Sequence, residues 1–577
     1  MKQSGGEIVV RALEDEGIRF AFGIPGTHNI ELYDALADSR SVQPVLVTDE
    51  QSAGFMADGA WRASGVMACV NLVPGAGLTH ALSGVAEAYM DGVPMLVLGC
   101  GIRRDVRRAF QLHDVDQLAV AAAVTKGTVR PESGAELYQV VREACALARS
   151  GTPGPVMVEV PVDHYLFRHE VDPGSWRAPG APAPSAPDPA AVRAAAAMLG
   201  DARPLVYVGL GAREARDELV ALAERLEAPV ATTIQGKGVF PESHPLFLWN
   251  GFGNSAPPFA RDIAADRSVT LAIGCRFSEV GTGGYGLEPA GPLIHCDING
   301  DVLGRNFPAA IAVQSDARAF LRALLDALSP AAPGARRDDA LRERIRSGHA
   351  GLRKGWLERR SADRVTPYVL LEALQRRFGP ETIYTTDSGN GTFLAMEALR
   401  LERPGRFLAP VDYSCMGYSV PAAIGARLAR PDAPVVALAG DGALLMTGLE
   451  LLTAASQRIP VAVFVLRDRE LAQIAQFQAT AFNRRTASVL PDFHVGSLAE
   501  GVGVEWMSLD RDDQVESVLL EANAILAAGR PVLVDTAIDY TDKTYFTRGV
   551  VRTMLGRLPW PDRLRFVVRA LRRRLLG

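Results

Sequence analysis

The chain has 577 residues, which is too long for one hydrophobic core, and a typical domain size of about 150 residues suggests three or four domains. A hydrophobic fraction of 48% and a charged fraction of 22% exclude a disordered or fibrous protein. The formal net charge of −5 argues against a nucleic-acid-binding surface over the whole molecule, so we expect no nucleic-acid partner.

The N-terminal segment has no apolar stretch behind a basic start, and no segment approaches about 18 uninterrupted apolar residues. We therefore expect neither export nor a membrane span. The cysteines are scattered, without a CxxC pair or a spacing that suits zinc, so we expect buried thiols in a reducing cytoplasm. They are Cys69, Cys100, Cys145, Cys275, Cys296 and Cys415.

Short β-branched runs alternate with helical patterns along most of the chain. This alternation predicts an α/β fold with three doubly wound domains, each built on a parallel sheet that helices cover on both faces. Two stretches rich in proline, alanine and glycine, residues 171–191 and 329–339, are typical of interdomain linkers. The predicted units are an N-terminal domain (1–170), a middle domain (191–328), a C-terminal domain (360–545) and a basic tail (546–577).

For two segments of the N-terminal block, the residues alone do not decide between a structural and a functional role. Glu50 stands in the sequence DEQ, where a glutamate that merely begins a helix would be ordinary. The later stretch RRAFQLHDVDQ contains Phe110, Gln111 and His113, and a lone histidine is more often structural than functional.

The C-terminal block contains the strongest motif, Gly440-Asp441-Gly442, between an apolar run and a helical pattern. The next apolar run ends just before Asp468, so strand, helix and strand form one right-handed unit. Ligands bind at the carboxyl ends of such strands, so both aspartates can face one cavity. Their carboxylates suit Mg²⁺ and the glycines let a diphosphate approach the backbone, although Gly and Asp also serve ordinary turns.

The tail is strongly basic. Residues 551–577 contain eight arginines and one acid, and subtracting this charge of about +7 from −5 leaves about −12 for the rest of the chain. The pattern predicts an amphipathic helix that either binds an anionic membrane surface through residues 559–577 or, as we favour, packs on the acidic body of its own oligomer. Its apolar face comprises Leu564, Val567, Val568, Leu571 and Leu575, and its basic residues include Arg565, Arg569, Arg572 and Arg573.

The 27-residue spacing between Asp441 and Asp468 resembles the motif of thiamine-diphosphate-dependent enzymes. The resemblance covers nearly the whole chain up to about residue 545 and lies within the acetolactate synthase and pyruvate oxidase family, closest to acetolactate synthase. The segments that carry it are GIRFAFGIPGTHNIELYDAL, VLVTDEQSAGFMADGAWRASG, AEAYMDGVPMLVLG, APVATTIQGKGVFPESHPL and YSCMGYSVPAAIGA.

This resemblance implies a site for thiamine diphosphate and Mg²⁺ in the C-terminal domain. The implied Mg²⁺ ligands are Asp441, Asp468 and the backbone carbonyl of Glu470. The family usually has asparagine at position 468, so the carboxylate is a departure, but it remains an oxygen donor, as in catabolic acetolactate synthases. Further residues implied to contact the cofactor are Gly440, Gly442, Ala443, Asp387, Gly389 and Asn390.

The resemblance also implies two catalytic residues. Glu50 would hydrogen-bond the aminopyrimidine ring of the cofactor, so that the thiazolium carbon can lose its proton. Met416 would support the bent cofactor from below, and the carbonyl of Ser414 would accept a hydrogen bond from its amino group. In the family these groups meet across a subunit interface, so we expect a homodimer or a homotetramer.

The substrate pocket is implied less directly. A Phe-Gln pair of the family corresponds to Phe110 and Gln111, but a length difference of two residues would place Leu112 and His113 there instead. Phe477 stands where biosynthetic relatives have a tryptophan, and Gln473 replaces an apolar residue. We therefore expect a pocket that differs from theirs.

In acetohydroxyacid synthases and pyruvate oxidases the middle domain holds FAD. The segments PLVYVGLGAR, IGCRFSEVG and Asp297-Ile298-Asn299 resemble that framework, with Arg276 as a candidate contact. The stretch NGFGNSAPPFA does not match the flavin-contacting stretch of the family. We therefore favour a flavin-free middle domain and keep FAD as the alternative.

The expected reaction is decarboxylation of a 2-oxo acid, with pyruvate as the default donor, followed by carboligation to a second carbonyl compound. The expected location is the cytoplasm, with peripheral contact to the inner membrane surface as an extension. One alternative is an FAD-dependent, membrane-associated pyruvate oxidase, and another is a decarboxylase that does not ligate. A hypothesis of a different class is an inactive scaffold homologue.

Overall fold

Three parallel sheets of six strands organise the chain, one in each of the three α/β blocks. Helices surround each sheet, so the predicted α/β class with three doubly wound domains is confirmed. The predicted linkers include residues 181–184 and 329–336, which lie outside the described residues. The computed structural model describes residues 1–106, 108–180, 185–328 and 337–576.

The N-terminal domain alternates strands and helices. Its strands are β1 (Lys2–Ser4), β2 (Phe20–Gly23), β3 (Gln43–Leu46), β4 (Cys69–Leu72), β5 (Met95–Gly101), β6 (Gly127–Val129), β7 (Pro155–Pro161) and β8 (Arg168–Glu170). Its helices are α1 (Gly5–Asp15), α2 (Ile30–Asp38), α3 (Glu50–Ser64), α4 (Ala76–Asp91), α5 (Gln117–Ala122), α6 (Leu137–Arg149) and α7 (Val162–Leu166). The parallel sheet has the order β3-β2-β4-β5-β7-β6, and β1 pairs separately with β8.

The middle domain contains a sheet of different topology. Its strands are β9 (Pro204–Val208), β10 (Val230–Thr232), β11 (Phe247–Asn250), β12 (Val269–Ile273), β13 (Leu293–Asp297) and β14 (Ile311–Gln314). Its helices are α8 (Pro189–Leu199), α9 (Arg216–Leu226), α10 (Pro258–Ala265) and α11 (Ala317–Ala327). The order β11-β10-β9-β12-β13-β14 reverses between β9 and β12, which opens a crevice at their carboxyl ends.

The C-terminal domain repeats the strand order of the first sheet. Its strands are β15 (Ile383–Thr386), β16 (Phe407–Leu408), β17 (Val435–Gly440), β18 (Ala462–Arg467), β19 (Glu505–Leu509) and β20 (Val532–Ala537). The preceding and following helices are α12 (Asp339–Glu358), α13 (Pro367–Phe378), α14 (Asn390–Ala398), α15 (Ser419–Ala429), α16 (Asp441–Thr447), α17 (Leu451–Ser456), α18 (Ala472–Phe482), α19 (Val495–Gly501), α20 (Val515–Ala527), α21 (Tyr545–Arg557) and α22 (Trp560–Leu576). The order is β16-β15-β17-β18-β20-β19.

Helix α3 of the N-terminal domain packs against the C-terminal domain. The Asp49 side chain caps its first turn, and Gly65 ends it in the left-handed conformation. The helix packs against α15 so closely that a Cβ on Gly59 or Gly425 would collide with the backbone of the other helix. One hydrophobic core therefore spans both domains, and the two sheets have a fixed relative position.

The tail packs on the C-terminal domain through its arginines. The guanidinium of Arg569 lies 4.6 Å from the centre of the Phe482 ring on α18, and Arg573 donates a hydrogen bond to the Phe482 carbonyl at 3.1 Å. The side chains of Val567 and Leu575 lie outside the description. The apolar residues of α22 that stay exposed are Trp560, Leu564, Val568 and Leu571.

Among the described residues, no helix combines the length and the hydrophobicity that crossing a bilayer requires. Five of the cysteines are buried, as predicted, whereas Cys415 is half-buried because it lies in a loop between the two outer domains. Its amide donates a hydrogen bond to the Glu87 carboxylate at 2.9 Å.

Candidate active site

A cavity of about 140 Å³ opens at the carboxyl edge of the third sheet. Strands β17 and β18 are hydrogen-bonded neighbours, with Gly440 opposite Leu466. Because both strands end at the same edge, Asp441 and Asp468 line the same cavity. The structure therefore brings together the two aspartates that the motif singles out.

The two carboxylates are held in place by backbone amides. Asp441 accepts hydrogen bonds from Gly442 N at 2.9 Å and from Arg469 N at 2.7 Å. Asp468 accepts one from Glu470 N at 3.2 Å. Burial, and then the neighbouring charge of Asp441, raises the pKa of Asp468 to about 7, and burial also raises the pKa of Asp441.

Two carboxylates this close are disfavoured as a pair of anions unless a cation lies between them. The donor set consists of oxygen atoms, which is what Mg²⁺ prefers. Glu470 lines the cavity, and its side chain pairs with Arg485 at 2.9 Å. Its backbone carbonyl is thus the better candidate for a third ligand, and the residues present fit a Mg²⁺ ion.

Two helix N-termini border the cavity. Helix α14 begins at Asn390 after Gly389, whose φ of +128° favours glycine, and α16 begins at Asp441 after Gly440. Amides at helix starts attract anions, so these turns fit a diphosphate group. Gly442 and Ala443 also line the cavity.

Asp387 holds the loop that carries Met416 in place by hydrogen bonds. Its buried carboxylate accepts hydrogen bonds from Gly417 N at 2.8 Å, from Ser419 N at 3.0 Å and from Ser419 Oγ at 2.8 Å. Met416 lies in the loop fixed in this way and lines the cavity. Ser414, in the same loop, has a φ of +64°, and its hydroxyl lies 2.9 Å from that of Ser388.

Glu50 lies elsewhere in the chain. It begins α3 at the carboxyl edge of the first sheet, where it is 9% exposed and lies 3.3 Å from His80 Nδ1. The part of the chain that the structure describes contributes only C-terminal-domain residues to the lining of the aspartate cavity. Glu50 and the aspartate pair are therefore separate within one chain.

The candidate substrate residues are also divided. Gln473 lines the aspartate cavity, whereas Phe477, one turn further along α18, is half-buried and outside its lining. Phe110 is fully exposed, with a φ of +59°, and Gln111 donates a hydrogen bond to the Val106 carbonyl. His113 lies in the same loop but packs against Gly75, at the edge of the first sheet that carries Glu50.

Two residues near these sites were not among the predicted ones. Tyr540 lines the aspartate cavity from the segment after β20. His28 lies beside His113, with 5.5 Å between ring centres. Both lie in segments that follow a strand of a parallel sheet, where loops converge, but no motif distinguishes them from the other residues of those segments.

A larger cavity of about 510 Å³ lies in the crevice of the middle domain. Residues at the carboxyl ends of β9, β10, β12 and β13 line it, including Arg276 and Asp297-Ile298-Asn299. Asp91 and Asp412 from the outer domains complete one wall, and the Arg276 guanidinium pairs with Asp412. The volume and the strand order suit a dinucleotide.

Comparison with known proteins identifies each domain. The chain matches three thiamine pyrophosphate (diphosphate) enzyme family models: the N-terminal TPP binding domain over residues 3–120, the central domain over 192–324 and the C-terminal TPP binding domain over 387–536.

Three similar full-length proteins support the same assignment. The "Probable acetolactate synthase large subunit" of Methanocaldococcus jannaschii is 32% identical, covering 93% of this chain and 92% of that protein. Acetolactate synthase isozyme 3 large subunit of Escherichia coli is 30% identical over 94% and 96%. Acetolactate synthase large subunit of Haemophilus influenzae is 29% identical over 94% and 96%. The chain therefore belongs to the thiamine diphosphate enzymes, and within them to the group that contains the acetolactate synthase large subunits.

Proposed function

We propose that this enzyme decarboxylates a 2-oxo acid, with pyruvate as the default donor, and ligates the remaining fragment to a second carbonyl compound, as an acetolactate synthase does. The observation that carries the proposal is the pairing of Asp441 with Asp468 beside two helix N-termini and Met416. When bound, thiamine diphosphate supplies a nucleophilic ring carbon that adds to a 2-oxo acid and accepts the negative charge left by CO₂.

The residues of the cavity would hold this cofactor by its charged end. Asp441, Asp468 and the Glu470 carbonyl would bind Mg²⁺, and the first amides of α14 and α16 would donate hydrogen bonds to the diphosphate. Met416 would support the bent cofactor, and Asp387 would keep its loop in place by the hydrogen bonds to Gly417 and Ser419.

The buried carboxylate of Glu50 would exchange a proton with the aminopyrimidine ring of the cofactor. Because Glu50 lies outside the aspartate cavity of its own chain, we propose that a second copy supplies it. The active enzyme is then a homodimer, or a homotetramer built from such dimers. An exposed apolar surface on α16, α17 and their connection supports this assembly. It comprises Leu445, Met446, Leu449 and Leu452.

A specific observation favours a second cofactor, contrary to the flavin-free expectation. The middle-domain crevice has the strand order of dinucleotide-binding domains and a volume of about 510 Å³. Gly209 and Gly211 pack so closely against Gly274 that none of the three has room for a Cβ. The loops at the base of the crevice are therefore in direct contact. We propose FAD as the occupant, with Arg276 and Asn299 among its contacts.

We further propose the cytoplasm as the compartment, with peripheral contact to an anionic membrane surface through residues 559–577. The outward apolar residues of α22 support this contact, while Arg569 and Arg573 keep the helix packed on Phe482 of the protein body. A 2-oxo acid substrate is consistent with all parts of the proposal, and no part of it requires a nucleic acid.

The test is incubation of purified protein with Mg²⁺, thiamine diphosphate and a panel of 2-oxo acids, with products identified by mass spectrometry. Carboligation products from pyruvate are the expected result. An aldehyde alone would indicate a simple decarboxylase, and flavin-dependent reduction of a quinone analogue would indicate a pyruvate oxidase. A preparation with a flavin absorbance spectrum would support FAD.

A variant tests the proposed role of Glu50. Glu50→Gln removes the carboxylate but keeps its shape, so turnover should fall by about a hundredfold or more while thiamine diphosphate still binds. Glu170→Gln, an exposed carboxylate of the same domain, is the control and should behave like the wild type. Undiminished turnover in Glu50→Gln, or no cofactor binding by the wild type as an inactive scaffold predicts, would contradict the proposal.

A further inference from the structure

Four loops converge on the edge of the first sheet that carries Glu50. Strands β3, β2, β4 and β5 are neighbours, and all run parallel. The loop after β2 carries His28, α3 after β3 begins with Glu50, the loop after β4 contains Gly75, and the loop after β5 carries His113. Because the carboxyl ends of parallel strands share one edge, the sheet brings two imidazoles to the side that holds Glu50.

The two imidazoles contact each other. The ring centres of His28 and His113 lie 5.5 Å apart at an interplanar angle of 74°, and His28 Nδ1 lies 3.2 Å from Thr27 Oγ1. His113 has a left-handed φ of +66°, which is uncommon for residues other than glycine, although histidine adopts it more often than most. A Cβ on Gly75 would lie 3.3 Å from the Cβ of His113, so the loop after β5 rests on the loop after β4.

Val73 connects this pair to Glu50. A Cβ on Gly26 or on Gly77 would press against the two methyl groups of Val73, and the one on Gly77 would lie 3.3 Å from Glu50 Oε1. The loops that carry the imidazoles therefore pack directly on the surroundings of the catalytic carboxylate. Arg103 and Arg104 of the same loop are engaged elsewhere, by Asp105 and His164.

Burial, and then the charge of His113, lower the pKa of His28. A neutral imidazole carries one N–H donor and can hydrogen-bond an oxygen as it gains negative charge, without losing its own proton. His28 and His113 are both half-buried, so each has surface that a ligand can reach.

We infer that His28 and His113 form a donor pair that binds the carbonyl and carboxylate oxygens of the 2-oxo acid in the site completed by the second copy. This inference rests on the proposed function, which supplies the substrate class and the role of Glu50. It adds His28 as a substrate-binding residue and gives His113 a partner. The pair would stabilise the negative charge on the carbonyl oxygen while its carbon is attacked.

The test compares His28→Leu and His113→Leu, which lack a donor, with His28→Gln and His113→Gln, which keep one. The leucine variants should lose about 100-fold or more in kcat/KM for pyruvate, as removal of such a donor does elsewhere, and the glutamine variants should lose less. Binding of methyl acetylphosphonate, a pyruvate analogue that cannot lose CO₂, should weaken in parallel. His169→Asn, a half-buried histidine outside the site, is the control.

Two further measurements separate this inference from the proposed function. Deuterium exchange at the cofactor ring carbon depends on Glu50 and should stay at the wild-type rate in all four variants. Loss of exchange in the leucine variants would show that the histidines merely position Glu50, which would overturn the inference. No exchange in the wild type would overturn the proposed function instead.

The pair itself is tested without cofactor. In protein labelled at histidine Cε1, NMR titration of the cofactor-free enzyme should show the pKa of His28 rising in His113→Gln, because a repulsive neighbour is removed. An unchanged titration would overturn the pairing, and so would wild-type kcat/KM in the leucine variants.

Discussion

At the scale of single residues, the most informative position is Asp468. It lies beside Asp441 in a partly desolvated cavity, and its raised pKa of about 7 reflects burial and the neighbouring carboxylate. An asparagine would remove that repulsion but would also remove one ligand charge for Mg²⁺. The carboxylate therefore strengthens Mg²⁺ binding and lowers the stability of the metal-free protein.

We predict that Asp468→Asn raises the Mg²⁺ concentration for half-maximal activity by about tenfold, because the site loses one of two ligand charges. Turnover at saturating Mg²⁺ should stay near the wild-type value, since the amide oxygen can still coordinate. Asp441→Asn should not be rescued by Mg²⁺. Activity titrated against Mg²⁺ at fixed thiamine diphosphate measures this, and an unchanged Mg²⁺ dependence in Asp468→Asn would contradict it.

The same variant has a consequence for the metal-free protein. The pKa of Asp468 is raised in the folded state from 3.8 to about 7, so its contribution to stability is complete at low pH and is lost as the pH rises through about 7. Between about pH 4 and pH 7 the Tm of metal-free wild type should therefore fall more than that of Asp468→Asn. Saturating Mg²⁺ should remove the difference.

The sequence predicted where residues lie relative to one another in the cases in which position along a strand determines position in space. Asp441 and Asp468 each follow an apolar run, and adjacent parallel strands bring them to one cavity. Glu50 also follows a strand, but its distance from that cavity depends on how two domains pack. His28 follows a strand without a motif to single it out, so periodicity gave no reason to choose it.

At the scale of elements, apolar runs and Gly-Pro-rich breaks were sufficient to predict parallel sheets, because the buried strand β5 is apolar throughout and β7 is apolar except for Glu159. Loops were harder. The register of Phe110 and Gln111 against Leu112 and His113 depends on left-handed residues at positions 110 and 113, which no hydrophobic pattern encodes. The orientation of α22 likewise depends on a stacking contact with Phe482.

We predict that α22 binds anionic vesicles. Trp560 is 72% exposed and Leu564, Val568 and Leu571 are each 51% exposed, so this face can enter a lipid interface while the arginines meet the headgroups. Deletion of residues 559–577 should abolish cosedimentation with phosphatidylglycerol vesicles. Turnover in solution should be unchanged within about twofold, because the deleted residues are outside the cavity lining.

Charge reversal provides the matched comparison for the tail. Arg565→Glu with Arg572→Glu leaves the Phe482 contacts of Arg569 and Arg573 intact, and should weaken vesicle binding by at least about tenfold, given about 1 kcal/mol for each arginine near the surface. Equal binding to phosphatidylcholine vesicles would contradict an electrostatic contribution.

At the scale of the whole molecule, the first and third sheets share the same strand order and are joined through α3 and α15. This packing fixes Glu50 away from the aspartate pair of its own chain. Two copies related by a twofold axis would contribute Glu50 from one chain and the aspartate pair from the other to each of two equivalent sites. The apolar surface of α16 and α17 would then be covered.

Complementation between two inactive variants tests this arrangement. If each site combines Glu50 of one copy with Asp441 of the other, a heterodimer of Glu50→Gln and Asp441→Asn has one doubly defective site and one intact site. Coexpression with two affinity tags and sequential purification should therefore yield about half of the wild-type activity, although each homodimer is inactive. If both groups served one site within a chain, each site of the heterodimer would carry a defect and the preparation would be inactive.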